Sequence, residues 1–516
     1  MAVFLFWNPE DSGFCYDVDK YAMAVCVKIF HKFYKILQNR HIESETICVD
    51  LDGTLINTDT LVELFIRGLK HCPHMLFLCP FWLLKGKINL KLKLSFYCAK
   101  YANRFPFNEK LVSFLREEKR RGKKIYLATA CEESLARSIV KDLDLFEDVF
   151  GTSEKTNLKA ENKAELLVSK FGEGNFAYAG NSASDLEVWK RASEIILVNA
   201  PEALSKRARL QNPQSHFLEF PNKTDSFRAF LKTIRIHQWA KNILIFVPLF
   251  LSHQYFNAEK VIAALLAFFA LSFCASATYI FNDILDIEND RAHKTKKNRP
   301  IASGSFPASK AFLVIFAFAL LAAALSLCVS INLFLFLLLY VAATLGYSFF
   351  FKRIVIVDVI VLSSLYLYRI YFGAFATGTV ISFWLVSFSI LMFFSLGSMK
   401  RYIELQSLEG VAEEKVKGRA YVKSDISTIS TLGISAGMMS SVLYILYVNN
   451  AASEMYLRPN FLLIGSLLFL YFISKTWLMA SRRLVHDDPV IYAIKTGENY
   501  VLIALFAAIF ILAGPI

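Results

Sequence analysis

Asn282-Asp283-Ile284-Leu285-Asp286-Ile287-Glu288-Asn289-Asp290, followed by Arg291 and by Asn298-Arg299-Pro300 ahead of Gly304, lies between two long apolar runs at 260–281 and 309–329. Asp283, Asp286 and Asp290 recur at spacings of three and four, which on a continuing helix sets three carboxylates on one face. Like charges stacked in this way destabilise a bare helix. A hard divalent cation shared with a diphosphate removes the repulsion and polarises a leaving group, which is the chemistry Mg²⁺ performs with carboxylates and substrate phosphates. The alternative is a solvated acidic helix end. Against it stands the cationic cluster beside the carboxylates, at the mouth of an apolar run, where basic side chains can take phosphate oxygens.

Outward from this stretch the chain divides in two. Residues 41–225 are ordinary amphipathic sequence, whereas 243–514 are apolar runs with charge confined to the gaps; the boundary falls near Pro221 to Asp225. Nine runs are long enough to span a bilayer or nearly so: 242–256, 260–281, 309–329, 332–350, 356–376, 381–398, 430–449, 460–480 and 499–514. The first and last are short and could lie at the interface instead. Lys and Arg fall on alternate connections. Arg291, Lys294, Lys296, Lys297 and Arg299 share one side with Lys352 and Arg353, with Lys400, Arg401, Lys415, Lys417, Arg419 and Lys423, and with Arg482, Arg483 and Lys495, while the other side holds little beyond Arg458. The positive-inside rule places the N-terminal half on the cytoplasmic side. It also accounts for the net charge of +13 without nucleic acid. The nine cysteines form no CxxC or zinc-like pairs, as expected of a reducing compartment. Residues 1–43 read as a leader of unassigned role, 44–220 as one domain and 221–516 as another.

The first domain turns on Thr46-Ile-Cys-Val-Asp50-Leu-Asp52-Gly53-Thr54-Leu55, a buried-strand run that delivers two aspartates and a glycine turn at its carboxyl end. A carboxylate there can attack a phosphate while a second, two residues on, serves as acid and base. A second strand, Lys124 to Thr129, ends in a hydroxyl. Residues 60–115 between them read as a helical cap, in which Met75 to Leu84 is apolar, interrupted by Pro80 and flanked by Lys85, Lys87, Lys91 and Lys93. It is too short to span and reads either as an interfacial anchor or as buried cap core.

These motifs resemble two families. DxDGT at Asp50 to Thr54 looks like the first motif of the haloacid dehalogenase (HAD) superfamily, and the resemblance covers about 44–200. It implies an α/β, Rossmann-like domain with Asp50 as nucleophile, Asp52 as acid and base, and Thr129 on the phosphate. It also implies Lys163 (with Lys159 competing) as the neutralising cation and Mg²⁺ on Asp50, the Asp52 carbonyl and Asp185. Asn181 stands where Asp is common. The aspartate-rich stretch resembles the NDxxDxxxD motif of UbiA-type prenyltransferases over about 230–516. That implies an all-α polytopic bundle of about nine transmembrane helices, with Mg²⁺ held by Asp283, Asp286 and Asp290 and with Asp283 and Asp286 essential to transfer. The quinone and haem branches carry a second DxxxD after the sixth helix, where this chain reads Lys400-Arg401-Tyr402-Ile403-Glu404. It is instead similar to the polyprenyl-phosphate (decaprenyl-phosphate) phosphoribosyltransferase branch. The similarity rests on Arg235 to Asn242, Tyr347-Ser348 with Lys352 and Asp358, Lys400-Arg401 with Glu404, and Asp488-Pro489-Val490.

That resemblance implies phosphoribosyl pyrophosphate and a membrane lipid, polyprenyl phosphate, as partners in a bacterial cytoplasmic membrane. Lys241, Asn282, Arg299, Tyr347, Lys352, Lys400 and Arg401 would bind substrate. Two anions sharing one cavity need such cations to offset their repulsion. Asp358 and Arg369, charged residues within a span, are candidates by position, Arg369 equally as a helix-paired arginine. The competing reading is prenylation of an aromatic acceptor. The HAD-like domain would hydrolyse a phosphomonoester, in one reading the 5-phosphate of the lipid-linked product. Isoprenoid length and oligomeric state are not legible.

Overall fold

The computed structural model describes residues 42–99, 104–152, 158–221, 226–293, 295–408, 419–485, 489, 490, 492 and 497–514. The leader up to residue 41 and Lys294, Lys415, Lys417, Asp488 and Lys495 lie outside them. The chain forms two compact units, Met1–Thr224 and Asp225–Ile516.

In the first unit six parallel strands take the order β3-β2-β1-β4-β5-β6. They are β1 (Thr46–Val49), β2 (Lys124–Glu132), β3 (Asp148–Thr152), β4 (Phe176–Gly180), β5 (Glu194–Val198) and β6 (His216–Phe220). The strands of an all-parallel sheet are covered on both faces. Accordingly Ile47 and Val49 pack into one core, with Ile125, Leu127, Ala177 and Ala179, while Cys48 points into the other with Tyr178, Trp189 and Ile195. Strand order reverses at β1, between β2 and β4. The carboxyl ends of strands at such a switch point form the crevice in which open α/β sheets bind ligands. Register holds the ends level: Val49 lies opposite both Leu127 and Ala179.

Three helices follow β1: α1 (Thr60–His71), α2 (Met75–Leu84) and α3 (Lys87–Cys98). Asp59 caps α1 by accepting from the Leu61 and Val62 amides. Sequence reasoning extended the cap to residue 115. The helix Glu109–Arg120, into which that expectation runs, buries Leu111, Val112 and Leu115 in the same core cluster as β1, β2 and the cap residues Leu64, Met75 and Leu94.

Among its described residues the second unit holds seven helices long and apolar enough to cross a membrane. Among them are α4 (Ala258–Leu285), α5 (Val357–Thr377) and α6 (Phe383–Gln406). The others are Ala308–Val329, Ile331–Arg353, Lys423–Asn450 and Pro459–Ser481. Ala308–Val329 leaves Leu313, Phe316 and Leu320 exposed, an apolar face suited to lipid. Two shorter apolar segments, Ile236–Leu251 and Gly497–Ala513, stand where the first and last runs were read. The first is not an ordinary helical span. Ile236–Phe246 is 3-10 helical and only Val247–Leu251 is α. Such backbone is tolerated at membrane depth where protein buries it or it lines a cavity. Trp239 donates to Ser276 Oγ (2.9 Å), Ser276 to the Ile234 carbonyl (2.7 Å), and Asn242 to Ser272 Oγ (2.9 Å).

This segment lies against α5 at Gly373, where a Cβ would overlap the Ile245 carbonyl oxygen. Gly373→Ala is therefore expected to destabilise the membrane unit by about 1–3 kcal/mol through overpacking, read as a lowered melting midpoint in detergent. Gly497→Ala, which meets open space, should leave the midpoint unchanged.

Candidate active sites

At the crest of the sheet, Asp50 follows β1 and donates its amide to the Ala179 carbonyl (2.9 Å). Its Oδ1 accepts from Lys163 Nζ at 2.9 Å, and the same ammonium stands 3.7 Å from Asp185 Oδ1. Tyr178, reaching in from β4, accepts from Lys163 (2.8 Å) and donates to Asp185 Oδ1 (3.0 Å). Asp185 is fixed further, since its Oδ2 accepts from the Asn181 amide and from the amide and hydroxyl of Ser182. Asp52 accepts from the Thr60 amide (2.7 Å) and hydroxyl (3.2 Å) at the start of α1. Gly53 has φ +72 and packs against the Asn181 side chain with no room for a Cβ, so the turn needs glycine on both counts.

Burial pushes the Asp52 carboxyl up to about 7, with the charges of Asp59 and Asp50 adding to the rise. Burial likewise lifts Asp50 to about 6, against the pull of Lys163. Thr129 is fully buried on β2, and its hydroxyl accepts from the Cys131 amide. Lys159 is exposed, so the lysine at this site is Lys163.

In the membrane unit a cavity of about 300 Å³ is lined by Asp283, Asp286 and Asp290 together with Lys241, Asn282, Arg299, Tyr347, Lys352 and Lys400. All but one of the side chains expected there thus line a single cavity. The helix does not run unbroken through the aspartates: α4 ends at Leu285, Asp286 is the junction, and Ile287–Ala292 restarts. Backbone bonds bridge the step, from the Asp286 amide to the Asn282 carbonyl and from the Asp290 amide to that of Asp286, so the carboxylates still share a face. Asp283 Oδ1 takes Arg235 at 2.5 Å and Arg299 at 3.0 Å, and Asp290 takes Arg299 at 2.8 Å. Asp286 has no side-chain partner among the described residues.

Arg401 is the exception. It is buried, and it pairs with Asp358 (2.7 Å) and Glu404 (2.5 Å) while donating to the Tyr347 hydroxyl (3.0 Å). Arg419 meets the same three groups: Asp358 at 3.1 Å, Glu404 at 2.9 Å and Tyr347 at 3.3 Å. Tyr421 donates to Asp358 (2.7 Å). Two arginines thus neutralise two carboxylates and orient Tyr347 between them. Arg369 donates to Asn242 Oδ1 (3.0 Å) and stacks over Tyr366 and Tyr340, so it joins α5 to the irregular segment at the cavity wall. Tyr178, Thr60, Tyr366 and Tyr340 escaped sequence reasoning, and Arg419 was read there only as a topology marker.

No group of three or more His, Cys, Asp or Glu among the described residues is placed to hold a metal ion. The donor sets nonetheless fit one. Asp50 and Asp185 share a single cation, Lys163, and a divalent ion would cancel the surplus negative charge that burial penalises. In the membrane cavity, Asp286 is open beside Asn282, and Arg235 and Arg299 both bond to the Oδ1 of Asp283.

Comparison with known proteins agrees with this geometry. The model of the UbiA prenyltransferase family matches residues 243–513, and that of haloacid dehalogenase-like hydrolases matches 47–190. Over 470 residues, 90% of each chain, the protein is 34% identical to the uncharacterized protein y4nM of Sinorhizobium fredii. It is 30% identical to the nodulation protein NoeC of Azorhizobium caulinodans, over 54% of this chain and 90% of that one. It is 34% identical to a decaprenyl-phosphate phosphoribosyltransferase of Mycobacterium tuberculosis, over 40% of this chain and 70% of that one. With its family model covering more than half the chain and its aspartates gathered in one cavity, the protein belongs to the UbiA prenyltransferase family, as a multi-pass membrane transferase with an N-terminal haloacid dehalogenase-like hydrolase domain.

Proposed function

We propose that the membrane unit transfers phosphoribose from phosphoribosyl pyrophosphate to a polyprenyl phosphate. The observation that carries this reading is the charge of the cavity. Arg235, Lys241, Lys296, Arg299, Lys352, Arg369 and Lys400 line it against Asp283, Asp286 and Asp290, while Arg419, which also lines it, is matched with Arg401 to the carboxylates of Asp358 and Glu404. A diphosphate and a lipid monophosphate brought together repel, and surplus cations offset that repulsion. An aromatic acceptor, which brings no phosphate and at most one carboxylate, would need less of that surplus. The similarity to decaprenyl-phosphate phosphoribosyltransferases supports the same choice. In this reading a phosphate oxygen of the lipid attacks the anomeric carbon of the ribose and diphosphate leaves with the bonding pair. Asp283, Asp286 and Asp290 would hold Mg²⁺, whose chemistry there is to neutralise and polarise the diphosphate. Lys241 and Lys400 hold phosphate oxygens, while Arg401 acts through Tyr347 as a positioning residue.

For the hydrolase domain we propose the 5-phosphate of the lipid-linked phosphoribose as substrate, on the cytoplasmic side, a reading that the one-sided Lys and Arg pattern supports. Asp50 attacks the phosphomonoester phosphorus. Asp52, whose burial raises its carboxyl to about 7, gives its proton to the leaving alcohol and then takes one from the water that cleaves the aspartyl phosphate. Mg²⁺ would sit on Asp50, Asp185 and the Asp52 carbonyl, and Lys163 balances the charge that remains. Sharing a chain raises the effective concentration of one site's product at the other.

Asp286→Asn is expected to lower transfer of label from phosphoribosyl pyrophosphate into the lipid phase by about 100-fold or more, with an unchanged melting midpoint because no ion pair is lost. Asp283→Asn should match it in activity and also lose stability. Near wild-type transfer by both would contradict the site. Asp50→Asn should leave transfer intact and accumulate phosphoribosyl lipid, where the wild type goes on to ribosyl lipid and free phosphate, as thin-layer chromatography of the lipids would resolve. A wild-type protein that leaves phosphoribosyl lipid untouched in Mg²⁺ would overturn the substrate of the hydrolase domain while leaving the transfer reading standing.

A further inference from the structure

The cap of the hydrolase domain carries an apolar ridge that neither site uses. Phe77, Phe81 and Leu84 recur at spacings of four and three on α2, which puts them on one helix face. They are 78%, 64% and 85% exposed, and Phe96 on α3 is 80% exposed. The opposite face of α2 is engaged: Met75 is buried, and Cys79 and Trp82 pack against the domain core, with Trp82 stacked on Tyr97 of α3. A helix that is apolar all round needs cover on both sides, and no described residue covers this one.

Charge identifies the cover. Residues 64–108 contain eight Lys and Arg and no Asp or Glu, and Lys85 and Lys93, at the end of α2 and within α3, are exposed. Aromatic and aliphatic side chains within a carboxylate-free basic frame match the headgroup boundary of an anionic bilayer, where the apolar face inserts and the lysines meet lipid phosphates. A second copy of the chain would set two basic frames face to face, which electrostatics opposes. The bilayer is also always at hand, because the same chain has, among its described residues, seven helices long and apolar enough to cross it.

We infer that α2 and α3 dock in the plane of the membrane interface through Phe77, Phe81, Leu84 and Phe96. Docking bears on the hydrolase site because Lys91 of α3 donates to the Ala130 carbonyl (3.2 Å) and Ser95 to Glu132 (2.9 Å), both on the strand that carries Thr129. The inference stands whichever phosphomonoester the domain takes.

The test places p-benzoylphenylalanine at Phe77 and, separately, at Phe96 of the full chain. The protein is purified into single-copy nanodiscs of phosphatidylcholine alone or of equal parts phosphatidylcholine and phosphatidylglycerol. On irradiation, mass spectrometry should find lipid adducts at both positions, several-fold more in the anionic discs. Phe81→Asp with Leu84→Asp should abolish the adduct at Phe77 without moving the melting midpoint, since both side chains are exposed. Adducts to peptides of residues 1–41, crosslinked pairs of chains in native membranes, or no adduct to lipid would each overturn the inference.

Discussion

An ionised side chain at the depth of a bilayer is tolerated when it is paired or lines a polar cavity; otherwise insertion costs about 3 kcal/mol per residue at a helix centre. The membrane unit is organised by that constraint. Asp358 is fully buried, and its two oxygens are divided between Arg401, Arg419 and Tyr421. Glu404 takes the remaining reach of both arginines. Removing one member would strand charges that the others hold, a loss of about 3–5 kcal/mol for a broken buried pair. The cluster ties α5, α6 and the segment that opens at Arg419, and it fixes Tyr347 at the cavity. The aspartates at the end of α4 obey the same rule with Arg235 and Arg299 as partners, save for Asp286, which stays open.

The hydrolase domain meets the matching constraint in an aqueous fold. Parallel strands force the chemistry to the carboxyl ends of the sheet, where Asp50, Asp185 and Lys163 converge from three separate elements. Tyr178 is the bracket between them, since it reads as a core residue of β4 along its ring and as a hydrogen-bond relay at its tip.

The aspartate spacing, the apolar runs and the DxDGT turn were legible because each depends on local periodicity, and the structure gathers the residues they named. Lys163 could not be separated from Lys159 by spacing; the first turns inward from Glu161–Phe171 while the second lies ahead of that helix. The break at Asp286 left no mark, because no Gly or Pro precedes it. The 3-10 run of Ile236–Phe246 was hidden by an apolar composition that suits either helix, and its register follows from Asn242 meeting Ser272 and Arg369, contacts no local pattern encodes. Arg419 was indistinguishable from a cytoplasmic topology marker until its approach to Asp358 was seen. Arg401 was expected at the substrate, but its burial makes it a support instead. The outer face of α2 was readable as apolar, whereas its exposure was not.

The account rests on the claim that one cationic cavity joins two phosphorylated substrates, and diphosphate release tests it most directly. Purified full-length protein in Mg²⁺ should liberate diphosphate from phosphoribosyl pyrophosphate only when polyprenyl phosphate is present, one molecule for each lipid converted. Release from a prenyl diphosphate in the presence of an aromatic acceptor such as 4-hydroxybenzoate, with phosphoribosyl pyrophosphate left intact, would contradict it.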